Sequence, residues 1–193
     1  MTNFDATART VSGDLRRLGA GFALVGGFAV SIRTEPRFTQ DVDLAVAVED
    51  DAAAEHVVRS LLGEGYDLIA TIEHESAGRL ATARLVLPAS DQTADLLFAS
   101  SGIEPEIVAA ADVLEVLPGL ILPVATTGHL IAAKLLARDD TSRPQDAVDL
   151  RALVAAADEN DVRVAGEAVT LIEQRGYHRG RALGDALDAL VAG

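Results

Sequence analysis

Residues 24–44 read LVGGFAVSIRTEPRFTQDVDL, and this stretch decides which fold the chain can adopt. The apolar run 22–25 leads into Gly26-Gly27, which predicts a buried strand that enters a tight turn. A second strand is predicted over 41–48, where two aspartates open a run of β-branched and apolar residues. The stretch therefore predicts two strands joined by a glycine turn and a short helix.

The two aspartates of this stretch, Asp41 and Asp43, are two positions apart on the predicted strand. Period-2 geometry places both carboxylates on one face. Two such charges repel each other unless a cation lies between them, and Mg²⁺ commonly binds one or two carboxylates together with substrate phosphates. The pair therefore predicts a Mg²⁺ site, although a D-x-D that simply begins a surface strand is common.

The residues before the aspartate pair are typical of a phosphate-binding site. Gly26 and Gly27 allow the backbone to approach a phosphate closely, and the following helix N-terminus offers free N–H groups. Thr39 adds a hydroxyl, and Arg33 and Arg37 add cationic groups in the connecting loop. A phosphate cradle, a hydroxyl and a metal-binding pair in this order predict a metal-bound nucleoside triphosphate.

Length and composition limit the class of protein. The chain has 193 residues, of which 49% are apolar, enough for one sizeable core or one core with a small helical annex. It has no cysteine, which excludes disulfides and thiolate metal sites. No apolar run reaches the roughly 18 residues that span a bilayer, and the polar N-terminus does not resemble a secretory signal. We therefore expect a cytoplasmic protein with no membrane partner.

The charge of the chain bears on its substrate. The net charge of −14 disfavours a whole-surface electrostatic grip on nucleic acid, so an RNA substrate would need a local basic patch. The 16 basic residues include a single lysine, Lys134. A bias toward arginine codons explains why lysine is rare, but it does not explain the position of the one that remains.

Periodicity and turn residues predict the remaining elements. Helices are predicted over 4–18, 28–33, 51–62, 128–137, 144–157, 161–175 and 179–191. Further strands are predicted over 66–72, 79–87 and 93–98, with a hairpin formed by 113–117 and 120–124. The chain thus reads as an α/β (α+β) part, residues 1–125, followed by a helical C-terminal part, residues 126–193.

The order of the glycine turn, the helix and T-x-D-V-D-L resembles the signature of the nucleotidyltransferase superfamily. In detail, G-G-x-A through P-R-x-T-x-D-V-D-L is similar to the AbiEii/AbiGii-type branch, which includes toxins of toxin–antitoxin pairs. The resemblance is best over residues 22–48. It implies a nucleotidyltransferase fold with a mixed sheet, whose helical C-terminal part completes the active site.

The resemblance also implies a third carboxylate on a later strand. Asp95, in T-A-D-L-L-F, is the best match, and Asp91 is a weaker alternative because D-Q-T is typical of a loop. An aspartate that caps a turn at a strand end is the other explanation for Asp95.

Two helical segments further along the chain resemble the same branch. H-L-I-A-A-K-L-L-A-R matches a helix whose lysine, here Lys134, points toward the triphosphate, with Arg138 as a possible second phosphate contact. Without the resemblance, a lysine on this apolar surface would be expected to snorkel to water. R-P-Q-D-A-V-D-L-R matches the next family segment, where Asp146 corresponds to an active-site residue and Gln145 replaces a basic one. Asp149 shares the helix face of Asp146, although acidic residues near a helix start also stabilise its dipole.

These residues predict metal-dependent nucleotidyl transfer from an NTP to an acceptor hydroxyl, with release of pyrophosphate. The predicted metal ligands for two Mg²⁺ ions are Asp41, Asp43 and Asp95; the predicted NTP contacts are Gly26, Gly27, Arg37, Thr39 and Lys134; and Asp146 joins Asp41, Asp43 and Lys134 as catalytic. By resemblance, the acceptor could be tRNA or a protein, and the partner an antitoxin.

Two alternatives remain from the sequence. An aminoglycoside-type nucleotidyltransferase shares the G-G and D-x-D core, and its cationic acceptor suits an acidic enzyme better than RNA does. A non-catalytic nucleotide- or partner-binding module of the same fold is the second alternative. The four histidines, at positions 56, 74, 129 and 178, show no spacing typical of metal ligands.

Overall fold

A computed structural model describes the chain over residues 3–35, 41–74, 77–87, 92–138 and 144–192. Within these ranges the strands are β1 (Gly21–Leu24), β2 (Val42–Ala47), β3 (Asp67–His74), β4 (Arg79–Val86), β5 (Thr93–Leu97), β6 (Asp112–Leu117) and β7 (Leu120–Val124). The helices are α1 (Asn3–Arg17), α2 (Gly26–Arg33), α3 (Asp51–Gly63), α4 (Glu104–Ala109), α5 (Thr127–Ala137), α6 (Pro144–Ala156), α7 (Glu159–Gln174) and α8 (Leu183–Ala192).

The described strands form one sheet in the order β3-β4-β5-β2-β1-β7-β6. β2 runs parallel to β5 and β1 runs parallel to β7, whereas the other neighbours are antiparallel. The predicted mixed sheet of an α/β fold is therefore confirmed. The predicted hairpin around Pro118-Gly119 is also present, as β6 and β7.

β2 is the central strand of the described sheet, and residues on both of its faces are buried. Val42, Leu44, Ala45 and Val46 are buried, whereas Asp43 interrupts this apolar run. Strands that are buried on both faces read as continuous apolar runs, and this one does so except at its acidic start. The carboxylate of Asp43 is consequently held at the centre of the sheet.

The helices after β7 share a core with the sheet. Leu44 and Leu96 from the sheet belong to the same buried apolar cluster as Leu130 of α5 and Leu153 of α6. Residues on both sides of position 125 are therefore packed together, so the helical part is placed where it can contribute side chains to a site on the sheet. No helix among the described residues is long and apolar enough to cross a membrane.

α4 was not predicted from the sequence. It has only six residues, which is too short for a periodic apolar pattern to stand out, and Pro105 lies in its first turn. Proline is compatible with that position because the first N–H groups of a helix have no partner within the helix.

The predicted start of the last helix was wrong. α8 begins at Leu183 and not at Arg179, because Arg179 and Gly180 have φ angles of +54° and +71°. Left-handed backbone cannot continue a right-handed helix. The loop between α7 and α8 is therefore longer than the sequence suggested.

Candidate active site

The turn after β1 brings Gly26 directly against Asp43. A β-carbon built at Gly26 would lie 1.8 Å from Asp43 Oδ2, and the φ of Gly26 is +64°, in the left-handed region that favours glycine. The N–H of Val25 also donates to the carbonyl of Asp43 at 2.9 Å. The glycine turn and the D-x-D strand therefore meet at one point.

Gly26→Ala is expected to lower the free energy of unfolding by at least about 2 kcal/mol, through left-handed backbone strain and the clash with Asp43. Gly166→Ala in α7 is the matched control, because a β-carbon there would meet nothing within 4 Å. That control is expected to be neutral or stabilising by roughly 0.5–1 kcal/mol. Urea denaturation measures both, and equal stabilities for the two variants would contradict the close contact.

Asp43 sits in an environment that disfavours its ionised form. Burial, together with the nearby carboxylates of Asp95 and Asp41, raises the pKa of Asp43 to about 6. The ammonium of Lys134 and a hydrogen bond from the Gly27 amide act in the opposite direction. Unbalanced negative charge at this place is the electrostatic condition that a bound cation would relieve.

The three predicted carboxylates lie side by side at this part of the sheet. Asp43 in β2 is the register partner of Asp95 in the parallel strand β5. Asp41 is exposed just before β2, and its Oδ1 accepts a hydrogen bond from the hydroxyl of Thr93. Sequence spacing placed Asp41 beside Asp43, whereas only the strand pairing brings Asp95 to them.

Asp95 is paired with an arginine that no pattern in the sequence marks as a site residue. Arg84 Nε donates to Asp95 Oδ1 at 2.8 Å, and Arg84 Nη2 donates to Asp95 Oδ2 at 2.6 Å. In the part of the chain that the structure describes, no three His, Cys, Asp or Glu side chains are grouped as a metal site. The role of Asp95 as a metal ligand therefore stays a prediction.

Lys134 is held between two buried aspartates. Its Nζ lies 2.7 Å from Asp146 Oδ1 and 2.9 Å from Asp149 Oδ2. Its side chain is only 14% exposed, so it does not snorkel to water. Gln145 Nε2 donates to the other oxygen of Asp149 at 3.1 Å. Lys134 on α5 and the two aspartates on α6 thus form an ion cluster, which we call the Lys134 cluster.

One cavity of about 190 Å³ joins the glycine turn to the Lys134 cluster. Among the predicted residues, it is lined by Gly26, Gly27, Asp43, Lys134 and Asp146. A larger cavity of about 620 Å³ lies near the opposite ends of β2 and β5, and none of the predicted residues lines it. The smaller cavity is the candidate active site, because Asp43, Lys134 and Asp146, whose charged side chains could bind a cation or a phosphate, line it together.

Two further residues of this cavity were missed in the sequence. Arg179, from the loop between α7 and α8, lines the cavity, and its Nη2 donates to the carbonyl of Ser100 at 3.1 Å. Glu104 of α4 also lines it, and its Oε1 accepts from the N–H groups of Ser100 and Ser101 at 2.9 and 2.7 Å. No local motif marks either residue, because both reach the cavity through loop and helix packing.

Two other candidate residues, Arg33 and Arg138, do not line the cavity. Arg33 is the last residue of α2 and not part of a loop, and it binds Ala125 O at 3.0 Å and Asp112 Oδ2 at 2.7 Å. These bonds connect the end of α2 to the residue after β7 and to the start of β6. Arg138 follows α5 as its C-cap. Arg37, Thr39 and Asp91 lie outside the described residues.

Two of the histidines, His74 and His129, are buried and make contacts within the fold. His129 is buried in the first turn of α5, where its Nδ1 lies 2.8 Å from the hydroxyl of the capping Thr126, and burial lowers its pKa. The ring of His74 packs on that of Tyr177, with centroids 4.3 Å apart. Neither lines the cavity.

Solved structures share this fold at low sequence identity. An antigenic nucleotidyltransferase-like protein from Paracoccidioides brasiliensis has a TM-score of 0.56 at 14% identity, over 98% of this chain and 92% of that protein. The antibiotic-resistance factor ANT(2'')-Ia has a TM-score of 0.56 at 15% identity, over 87% of this chain and 90% of that protein. No curated protein matches the sequence.

A family model covers almost the whole chain. The model described as nucleotidyl transferase AbiEii toxin, type IV toxin–antitoxin system, matches residues 13–191. This range includes every candidate site residue, and it confirms the nucleotidyltransferase fold and the enzyme class that the sequence predicted. The chain belongs to the AbiEii family of nucleotidyl transferases.

Proposed function

We propose that the chain transfers a nucleotide from an NTP to an acceptor hydroxyl in the cavity between the glycine turn and the Lys134 cluster. The observation that carries this proposal is the convergence of Gly26, Asp43, Lys134 and Asp146 on one cavity, from two distant parts of the sequence, 26–43 and 134–146. Membership of the AbiEii family gives the NTP as substrate and, in general, a divalent metal.

Asp41 and Asp43 are the residues that would hold a divalent cation. Their carboxylate oxygens are the ligands that Mg²⁺ prefers. The donor set fits such an ion, because burial and the neighbouring carboxylates make the ionised form of Asp43 costly and raise its pKa to about 6. When bound, the cation supplies neutralisation of phosphate charge and activation of the attacking hydroxyl.

The remaining residues of the cavity orient the triphosphate. The start of α2, at Gly26 and Gly27, presents amide groups and the positive end of the helix dipole. Lys134 has three ammonium N–H donors, of which Asp146 and Asp149 accept two, so the third can reach a phosphate oxygen. These contacts would hold the α-phosphorus in line with the acceptor hydroxyl while pyrophosphate leaves.

Asp146 has a position that suits a role beyond fixing Lys134. Its Oδ1 pairs with Lys134, whereas its Oδ2 is buried and has no hydrogen-bond partner among the described residues. A buried carboxylate oxygen without a partner is costly in a folded protein. We propose that a small rotation of this side chain lets the oxygen accept a proton or a hydrogen bond from bound substrate.

The family favours a toxin that acts on a cellular acceptor such as tRNA and pairs with an antitoxin protein. The net charge of −14 favours a different acceptor, a cationic small molecule of the aminoglycoside kind, because like charges disfavour RNA. Among the described residues, Lys134 and Arg179 line the cavity and Arg84 lies beside Asp95, and an RNA 3′ end would contact these cationic side chains.

Incubation of the protein with each of the four NTPs, labelled at the α-phosphorus, tests the proposal. Mg²⁺ is supplied, and the acceptors are purified tRNA, cell-extract protein and a set of aminoglycosides in separate reactions. We expect acceptors of one class to become labelled, and we expect no labelling when EDTA is present from the start of the reaction. NTP binding by calorimetry without transfer to any acceptor would favour a non-catalytic module, and no binding of any NTP would exclude the enzyme.

A further inference from the structure

Three side chains form a row across neighbouring strands at the candidate site. Arg84 in β4 is the register partner of Asp95 in β5, and Asp95 is in turn the register partner of Asp43 in β2. Paired residues on adjacent strands project from the same face of a sheet. Asp95 is therefore placed between a guanidinium on one side and a carboxylate on the other.

The contact between Arg84 and Asp95 uses both carboxylate oxygens. The two N–H···O distances, 2.8 and 2.6 Å, describe a bidentate pair, which is the strongest form of arginine–carboxylate contact. The Asp95 side chain is only 12% exposed, so water competes little for it. Any divalent cation on Asp95 would have to sit next to the positive charge of this guanidinium, which opposes its binding.

Before a nucleotide binds, the charges of Asp41, Asp43, Asp95 and Arg84 balance with one divalent cation. Asp41, Asp43 and Asp95 carry three negative charges between them when ionised. Lys134 does not offset these charges fully, because it is already paired with Asp146 and Asp149. Arg84 supplies one positive charge and a single divalent cation supplies two, whereas a second divalent cation would compete with Arg84 for Asp95.

We propose that Arg84 occupies Asp95 in the place of a second metal ion, so that the site binds a single divalent cation through Asp41 and Asp43. This inference rests on the proposed function, because it specifies the metal content of the same site. Arg84 is then a positioning residue. It fixes the side chain of Asp95 and keeps the cation at Asp41 and Asp43. The proposed number of bound Mg²⁺ ions is therefore one, and not the two expected from the sequence.

The inference can be tested without any nucleotide by titrating the protein with Mn²⁺. Electron paramagnetic resonance measures the concentration of the free ion at each step. Wild type is expected to bind one Mn²⁺. Asp43→Asn removes a ligand and is expected to weaken binding at least tenfold. Asp95→Asn removes only a neighbouring charge, so it is expected to retain one bound Mn²⁺ with a smaller loss of affinity. Arg84→Gln frees Asp95 and is expected to bind Mn²⁺ roughly tenfold more tightly or to bind a second ion.

Arg84→Lys loses the bidentate contact but keeps a positive charge beside Asp95, so it is expected to retain one Mn²⁺ with an affinity within about threefold of wild type. Two Mn²⁺ ions in wild type, with one lost in Asp95→Asn, would overturn the inference, as would an Arg84→Gln variant that folds and binds Mn²⁺ like wild type. If wild type and all variants bind no Mn²⁺, the metal site itself is wrong. One bound Mn²⁺ without nucleotide transfer would instead refute the proposed function and leave this inference standing.

Discussion

Asp43→Asn is expected to lower nucleotide transfer by about 10³-fold or more, the size of effect that follows loss of a group that stabilises transition-state charge. The carboxylate touches the glycine turn, lines the cavity and neighbours both other predicted acidic residues. Asparagine keeps its shape but cannot supply the negative charge that a divalent cation requires. Initial rates with the labelled NTP and its acceptor, at saturating Mg²⁺, measure the loss.

The same substitution is expected to leave the fold intact or to stabilise it. Because burial and two neighbouring carboxylates raise the pKa of Asp43, its ionised form costs free energy in the folded state at neutral pH. A neutral residue of equal size removes that cost. Asp188→Asn, at an exposed position in α8, is the control that should change neither property. Transfer that survives in Asp43→Asn would show that the reaction occurs elsewhere.

An inactive variant that unfolds at an equal or higher temperature separates function from stability. Functional sites often carry charges that the fold would be more stable without. An Asp43→Asn protein that lost activity and also unfolded would instead assign Asp43 to the structure of the turn. Thermal unfolding followed by circular dichroism, in EDTA so that no cation contributes, distinguishes the two outcomes.

Short sequence patterns predicted the part of the site whose residues lie close together in the chain, the glycine turn and the D-x-D strand. Gly26 and Asp43 are joined by one helix and one connection, so the order of turn, helix and strand predicts that they meet. Asp95 could be proposed only through the family resemblance, because its place beside Asp43 depends on the parallel register of β2 and β5. No single-sequence pattern specifies which residue of one strand faces which residue of another.

Arg84 and Arg179 show why the rest of the site could not be predicted. Arg84 alternates with apolar residues along β4, so the sequence marks it only as a polar position on a strand. Arg179 was assigned to a helix, although its left-handed backbone places it in a loop beside the cavity. In both cases the tertiary position, and not the neighbouring sequence, gives the side chain its surroundings.

The Lys134 cluster could be predicted from the sequence only in part. The spacing of Asp146 and Asp149 predicted that both carboxylates share a helix face. It did not predict that the face would be turned toward Lys134, because that depends on how α5 packs against α6. The single lysine of the chain is therefore both a candidate phosphate contact and a buried structural ion.

Lys134→Met is expected to lower the free energy of unfolding by about 3–5 kcal/mol at neutral pH, because it leaves two buried carboxylates without their cation. The side chains of Asp146 and Asp149 are only 8% and 1% exposed, so water cannot replace the ammonium. Arg163→Met removes the cation of an exposed pair with Glu167 and is expected to cost less than about 1 kcal/mol. Urea denaturation of both variants gives the comparison, and equal losses would show that the Lys134 cluster is solvated.

Removing the two carboxylates together with the lysine separates the structural role of Lys134 from its role in transfer. In a triple variant, Lys134→Met with Asp146→Asn and Asp149→Asn, no uncompensated charge is left buried, so most of the lost stability is expected to return. Transfer is expected to stay at least about a hundredfold below wild type, because the triphosphate lacks its ammonium contact and Asp146 its carboxylate. Adding Asp149→Asn alone to Lys134→Met keeps Asp146 and isolates the contribution of the lysine. Near-wild-type transfer by a folded form of that double variant would show that Lys134 serves the fold only, and that the amides of the glycine turn suffice to hold the triphosphate.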